Sequence, residues 1–473
     1  MKTQIISLIC CVGILTSCNS FLDREPFMRF SREMALTNAE MANYALLGVY
    51  DRLQSSSAYG REIIAIADAC TDNNVLSPLN SGRFVAISQW TVTPNTSEPS
   101  SVWSQVYLSI NSANEILAKI DDQIEATDAQ RALIKGEALA LRGLLHFELV
   151  RYFAQSYVGN ESSMGIPYIE TPHIYDLPSR DDVKTVYSKI IADLTNAIAL
   201  LTTTNSASYA PYRIDHWAAK AILARVYMAQ LDYAKAKPLL ADIITNSGYQ
   251  ILSNANYKGA WAKRYNAAAK TEFMFAISFW DGTDYGATGS LGYIYLQIGY
   301  GDLRVPPAMR NLYDNSDVRK STFFEDGTGA REGWIMVCKY PSRDGTNGLS
   351  DIPIVRVSDV YLMYAEACAY TGDESTAITY LDRIRLRAQP TAEPSTETGD
   401  VLKEKIFLER RKELAYEGFY YHDLKRYHRT INSAYDAFGN LYSVITYPSP
   451  KLAYPIPQNE MDVNTNMVQN PSY

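Results

Sequence analysis

The sequence is poor in the residues that most often carry chemistry. It holds five His and six Cys in 473 residues, and no two histidines have metal-ligand spacing; His422 and His428 lie six apart. Beyond residue 18 the cysteines are Cys70, Cys338 and Cys368, an odd number at no ligand spacing. No HExxH, GxSxG, Walker or dinucleotide signature occurs. The stretch from Asp281 begins like a calcium loop, but its twelfth position is Gly292 where a bidentate Glu is needed. Paired carboxylates for glycoside hydrolysis need no linear motif, so the 52 Asp+Glu neither reveal nor exclude them. Lys+Arg number 44, the net charge is −8, and no basic stripe appears, which excludes a nucleic-acid binder. No cofactor and no metal is therefore expected.

Long apolar runs are missing too, with one exception at the N-terminus. Met1 and Lys2 precede the apolar run 4–15, which is too short to span a bilayer and suited to a signal-peptide core. It ends in Leu15-Thr16-Ser17-Cys18, the pattern of a bacterial lipobox: small residues admit the peptidase, and the Cys thiol takes the diacylglycerol. Residues 1–17 are expected to be removed and Cys18 to be the lipidation site, followed by a leash over 18–37. Cys10 and Cys11 leave with the signal. Cys70, Cys338 and Cys368 then allow one disulfide at most, and buried free thiols are favoured.

What is present is helical periodicity. Segments 40–52, 101–121, 129–153, 183–201, 216–231, 358–371, 374–388 and about 401–416 place apolar residues three and four apart. Strand-like alternation is confined to short stretches near 273–279, 294–298 and 334–340. Residues 216–246 and 357–388 read as helical pairs with alanines at the crossings, similar to the tetratricopeptide pattern of about 34 residues. A third pair joins 131–153 to 183–201. Pro238 is expected to delay or kink its helix. The fold class is mainly α: a tetratricopeptide-like helical-pair scaffold with long irregular loops and a few short strands on one face.

The loops 71–99, 281–307, 325–353 and 432–473 are longer than compact proteins usually carry without a use for them. They also hold part of a compositional excess, 35 Tyr against 14 Phe. Tyrosine has an apolar face and a hydrogen-bonding tip, suited to a half-exposed contact. Trp280, Tyr285, Tyr293, Tyr295 and Tyr300 sit among glycines in a segment that no regular helix would bury. Aromatic faces stack on sugar rings, and Asp72, Asn73 and Arg83 in the loop 71–94 supply groups for ring hydroxyls. The plainer reading, for any one tyrosine, is that it fastens its loop to the scaffold.

Taken together, these residues resemble the SusD/RagB family of Bacteroidetes outer-membrane nutrient-uptake lipoproteins. Phe21-Leu22-Asp23 and Pro26 follow Cys18 as in that family. Trp103, Tyr107, Asn111 and Asn114 match its next helix, and Gly136-Glu137-Ala138, Arg142 and 147–153 the one after, followed by Ile166-Pro167. Tyr313 with Asp317 and Arg319, Ile354-Val355-Arg356, 362–367, Glu409-Arg410-Arg411 with Glu413-Leu414 and Glu417-Gly418, and Pro455-Ile456-Pro457 continue the match to the end. Ser472, where Gly is common, and His146, where an aromatic is common, depart from it.

The resemblance implies four tetratricopeptide-like units in one domain over 38–473, with an N-terminal part of about 38–270 and a C-terminal part of about 271–473. It implies a lipid-anchored protein on the outer face of the outer membrane, a lid on a SusC-like TonB-dependent transporter. It also implies a non-catalytic protein that binds oligosaccharide and passes it on, at a site built from 71–90 and 280–300. The ligand-binding residues expected are Asp72, Asn73, Arg83, Trp280, Tyr285, Tyr293 and Tyr295. A peptide ligand, as in the RagB branch, is the alternative; a loop-based glycoside hydrolase ranks last.

Overall fold

In the computed structural model the described residues are 36–172, 175–202, 211–265, 270–279, 287–433 and 442–473. Cys18, Trp280 and Tyr285 lie outside them. Among the described residues nine long helices carry the scaffold: α1 (Ala39–Leu53), α2 (Ser97–Leu117), α3 (Asp128–Phe153), α4 (Val183–Leu200), α5 (His216–Ala229), α6 (Tyr233–Asn246), α7 (Val357–Tyr370), α8 (Glu374–Ala388) and α9 (Gly399–Glu413). Each of α1 to α8 packs on the next, so α1/α2, α3/α4, α5/α6 and α7/α8 form a stack of four pairs, with α9 against α7.

Local chemistry explains the starts of these helices. The side chains of Asn38, Asp182, Asp215, Asp232 and Asp373 each accept a hydrogen bond from the backbone N–H three residues on. Thr127 and Gln130 form a reciprocal capping box. Each such cap contributes about 1 kcal/mol by satisfying an otherwise orphaned donor. Small residues then let the helices close up: Ala218, Ala219, Ala221 and Ala224 on α5 and Ala365 and Ala367 on α7 are buried. At Gly136 on α3 a Cβ would lie 2.8 Å from the Leu201 side chain, so a larger residue would push the α3/α4 pair apart. The helix α6 begins at Tyr233 and runs on through Pro238.

The strands are short. β1 (Val75–Leu76), β3 (Leu303–Val305), β5 (Ile335–Val337) and β4 (Phe324–Asp326) form an antiparallel sheet in the order β1-β3-β5-β4. β2 (Phe273–Ile277) pairs with β6 (Ile352–Arg356), which leads directly into α7. The strand expected over 294–298 does not form. The segment Leu291–Tyr295 is a single helical turn instead, because the Ser290 hydroxyl caps it by accepting from the Tyr293 N–H at 3.2 Å.

A buried ion network ties the sheet region to the scaffold. Arg356 at the end of β6 reaches Glu272 at 2.5 Å, Glu413 at 3.2 Å and Glu417 at 2.7 Å. Arg387 on α8 and Arg319 reach the same Glu413 carboxylate at 2.7 and 3.0 Å. Arg319 also reaches Asp317 and Glu409, and Lys339 reaches Glu417. Every member is buried, and each charge faces its opposite, which is the condition under which such groups are tolerated inside. Cys70, Cys338 and Cys368 are free thiols, the first and last buried.

Candidate ligand-binding site

The two loops singled out in the sequence are brought together by backbone pairing. Val75 lies opposite Arg304 and Leu76 opposite Leu303. Just past β1, the Ser77 N–H donates to the Asp302 carbonyl at 2.9 Å, and the Asn80 amide to the same oxygen at 3.3 Å. The buried Asp302 carboxylate accepts from the Ser81 N–H at 3.2 Å and from Arg83 Nη1 at 3.1 Å. Arg83 also donates to the Ser81 hydroxyl. One aspartate thus clamps the whole turn 77–83.

Held in this way, the Arg83 guanidinium carbon lies 4.0 Å from the centroid of the Tyr300 ring. Tyr300 meets Tyr293 edge to face at 5.0 Å. All three residues are half-buried. Their backbone is fixed as well: the Tyr300 N–H donates to the Tyr293 carbonyl at 2.8 Å, and Arg331 Nη2 donates to the Tyr300 carbonyl at 2.7 Å. Nearby, Gln297 Oε1 accepts from the Thr328 N–H and hydroxyl at 3.0 and 3.1 Å, and Ile298 is exposed. The arrangement is a cation and two aromatic rings beside hydroxyl and amide groups, a set able to contact a polar ring through stacking and hydrogen bonds.

Two expected contacts are corrected. Tyr295 is fully buried: its hydroxyl donates to Asp68 Oδ2 at 3.0 Å, and its ring packs on Tyr340 and Tyr416. The helical turn Leu291–Tyr295 points Tyr295 into the core and leaves Tyr293, two residues earlier, at the surface. Asn73 is also buried, with its Oδ1 accepting from Arg411 Nε at 2.9 Å. Neither side chain has a face to offer a ligand. Asp72 is half-buried and pairs with Arg411 Nη2 at 3.0 Å, so it serves to hold the loop on α9. Of the seven expected residues, Arg83 and Tyr293 are brought together, and Trp280 and Tyr285 lie outside the described residues.

Ser81, Gln297, Tyr300, Asp302 and Arg331 complete the group. Tyr300 stood out in the sequence for its glycine neighbours. Asp302 gave no signal, since one carboxylate among many is marked only by its neighbours in space. A second cation–aromatic pair lies on the same sheet, with Arg304 5.3 Å from the Trp334 ring centroid. At the far edge of the sheet, Lys258, Arg310, Lys320, Glu325 and Asp326 line an open cleft of about 660 Å³. Among the described residues no His, Cys, Asp and Glu group could hold a metal ion, and no helix is long and apolar enough to cross a membrane.

A stack of four helical pairs, with a short sheet built from strands in the intervening loops, defines a repeat-type helical scaffold. The comparisons give the family. Residues 325–473 match the SusD family model, and residues 20–228 match the family described as starch-binding associating with outer membrane. A SusD-like protein of Formosa agariphila is 24% identical, with 99% of this chain and 98% of that protein aligned. A SusD-like protein of Bacteroides ovatus is 24% identical over 91% of this chain and 83% of its own length. A solved protein of Bacteroides vulgatus superposes with a TM-score of 0.84 at 30% identity, covering 93% of this chain and 99% of the other. A SusD superfamily structure from Bacteroides thetaiotaomicron gives 0.83 at 26% identity, covering 92% and 100%. The chain belongs to the SusD-like family. Membership supports a carbohydrate-binding role in nutrient uptake and association with the outer membrane.

Proposed function

We propose that the protein is a surface glycan-binding lipoprotein, anchored through Cys18 to the outer face of the outer membrane, that captures an oligosaccharide and passes it to a SusC-like TonB-dependent transporter. One observation carries the binding half of this reading: Arg83, Tyr293 and Tyr300, from two segments more than two hundred residues apart, meet at one half-exposed surface. Such a surface recognises a sugar by stacking and by hydroxyl bonds, and asks nothing of catalysis. Trp280 and Tyr285 are proposed as further stacking faces on the same loop. The family descriptions support the membrane and uptake halves, and the lipobox supports the anchor.

A peptide ligand would gain most from a free sheet edge to add to. The edge strands β1 and β4 of the loop sheet span only two and three residues, and the longer β2 and β6 are buried throughout, which favours the glycan. The deciding experiment is a glycan array followed by calorimetry on the best ligand. The reading expects a saturable oligosaccharide that Tyr300→Ala weakens. Silence across the array, with peptides copurifying, would overturn it.

A further inference from the structure

A second cavity lies inside the scaffold, lined by none of the residues of the loop site. It offers about 50 Å³ of room between α3, α4, α5, α7, α9 and the short helix Tyr420–Arg426. One wall is apolar: Phe147, Tyr187, Met228, Met363 and Phe419. The other is mainly cationic, with Arg151, Arg225, Arg410, Arg426 and Lys425 beside the Asp423 carboxylate and His422, whose ring is kept neutral by burial and by the neighbouring Arg151.

The charges on that second wall do not balance. Arg151 pairs with Glu148, Arg225 with Asp359 at 2.9 Å, Arg410 with Asp359 at 2.9 Å and Asp423 at 3.2 Å, and Arg426 with Asp423 at 2.8 Å and with Glu366. Among the described residues Lys425 reaches no carboxylate; its ammonium donates to the carbonyls of Arg151 and Ala154, both at 2.6 Å. Five cations therefore share four carboxylates. Hydrogen bonding is incomplete as well. Nε of Arg151, Nε of Arg225 and both ring nitrogens of His422 are buried without a partner, although His422 is only 8% exposed. A group left in that state costs its full desolvation, and the Nε–H groups of Arg151 and Arg225 and the single N–H of the neutral His422 ring are three donors short of an acceptor. Burial, followed by the neighbouring Arg151, pushes the Lys425 ammonium down to about 7, the mark of a positive site without its counter-charge.

A bare ion would satisfy the donors and leave the apolar wall unused. We propose that this cavity binds a small organic carboxylate, its head against Lys425, His422, Arg151 and Arg225 and its short apolar tail against Phe147, Met228, Met363 and Phe419.

The test titrates the whole mature protein with sodium butyrate and, separately, with sodium chloride at matched ionic strength, by calorimetry and by saturation-transfer NMR. The proposal expects saturable butyrate binding, with transfer to the tail methyl, and no comparable response to chloride. Lys425→Met should weaken butyrate about tenfold or more, the cost of one charge-assisted bond. That buried change could impair folding, so Ala229→Phe, at the half-buried mouth, serves as the second variant and should block entry. Absence of saturable butyrate binding to the wild type overturns the proposal, as does chloride binding of equal strength. Undiminished butyrate binding by folded Ala229→Phe overturns it too.

Discussion

Arg83 lies over the ring of Tyr300, its guanidinium carbon 4.0 Å from the ring centroid, while the same guanidinium bonds the buried Asp302 carboxylate at 3.1 Å. Two loops distant in sequence are joined here by a contact that is both structural and half-open to solvent. Replacing either residue should therefore harm binding, in different ways. Tyr300→Ala removes a stacking face and should weaken the glycan by about 1–3 kcal/mol with little effect on stability. Arg83→Ala should weaken binding similarly and also lower the melting temperature, because it leaves Asp302 buried and short of a partner. Calorimetry and thermal melts on both variants check this; full affinity in Tyr300→Ala would remove Tyr300 from the site.

Gly299 is a second point of control over the same surface. A Cβ there would stand 2.2 Å from the Tyr293 carbonyl oxygen, which no small adjustment relieves. Gly299→Ala should break the bond between the Tyr300 N–H and the Tyr293 carbonyl and separate the two rings. The expected result is a loss of glycan affinity at least as large as in Tyr300→Ala, together with unchanged far-UV circular dichroism, since the scaffold helices are untouched.

Asp68 gives a pH prediction. Burial lifts its carboxyl from 3.8 to about 7, against the opposing bond from the Tyr295 hydroxyl. Between about pH 4 and pH 7 the folded protein keeps this proton while the unfolded chain has lost it. This group's contribution to stability therefore falls as pH rises through that window and levels off above it. Asp68→Asn keeps an acceptor for Tyr295 and cannot ionise. Its melting temperature relative to wild type should rise from pH 4 to pH 8, by the equivalent of a few kcal/mol at most. A constant difference across that range would show that Asp68 titrates normally.

Glu413 should behave in the opposite sense. Burial works to raise its carboxyl, but Arg387, Arg356 and Arg319 outweigh burial and hold it far below the ordinary carboxylate range. Glu413→Gln leaves three guanidinium groups around a neutral amide, and should destabilise by about 3–5 kcal/mol in urea unfolding. A change below about 0.5 kcal/mol, the usual size for a surface site, would mean that the network is replaceable.

The scaffold was largely legible in the sequence because helix formation is a local matter. The periodicity over 374–388 matches α8 at both ends, with Asp373 as the cap, and 183–201 matches α4 to within one residue. The loop site was legible only in part. Tyr293 and Tyr295 are two apart and chemically identical, and a strand would have pointed both the same way. The turn capped by Ser290 separates them, sending Tyr295 to Asp68 and leaving Tyr293 outside. Asp72 and Asn73 carry the right groups for a sugar, yet Arg411, far along the chain, claims both.

By itself the sequence determined the helical pairs, their caps and the small residues at their crossings, and it marked the lipobox-like motif and the two loop segments proposed as a site. These depend on contacts within a few turns of the chain, or on short motifs read directly. The tertiary structure alone decided which loop residues face solvent, which carboxylate clamps Arg83, and where Lys425 is left without a counter-charge. Those outcomes depend on side chains tens to hundreds of residues apart competing for the same partners. In a buried or half-buried place one neighbour is enough to turn a ligand contact into a structural one.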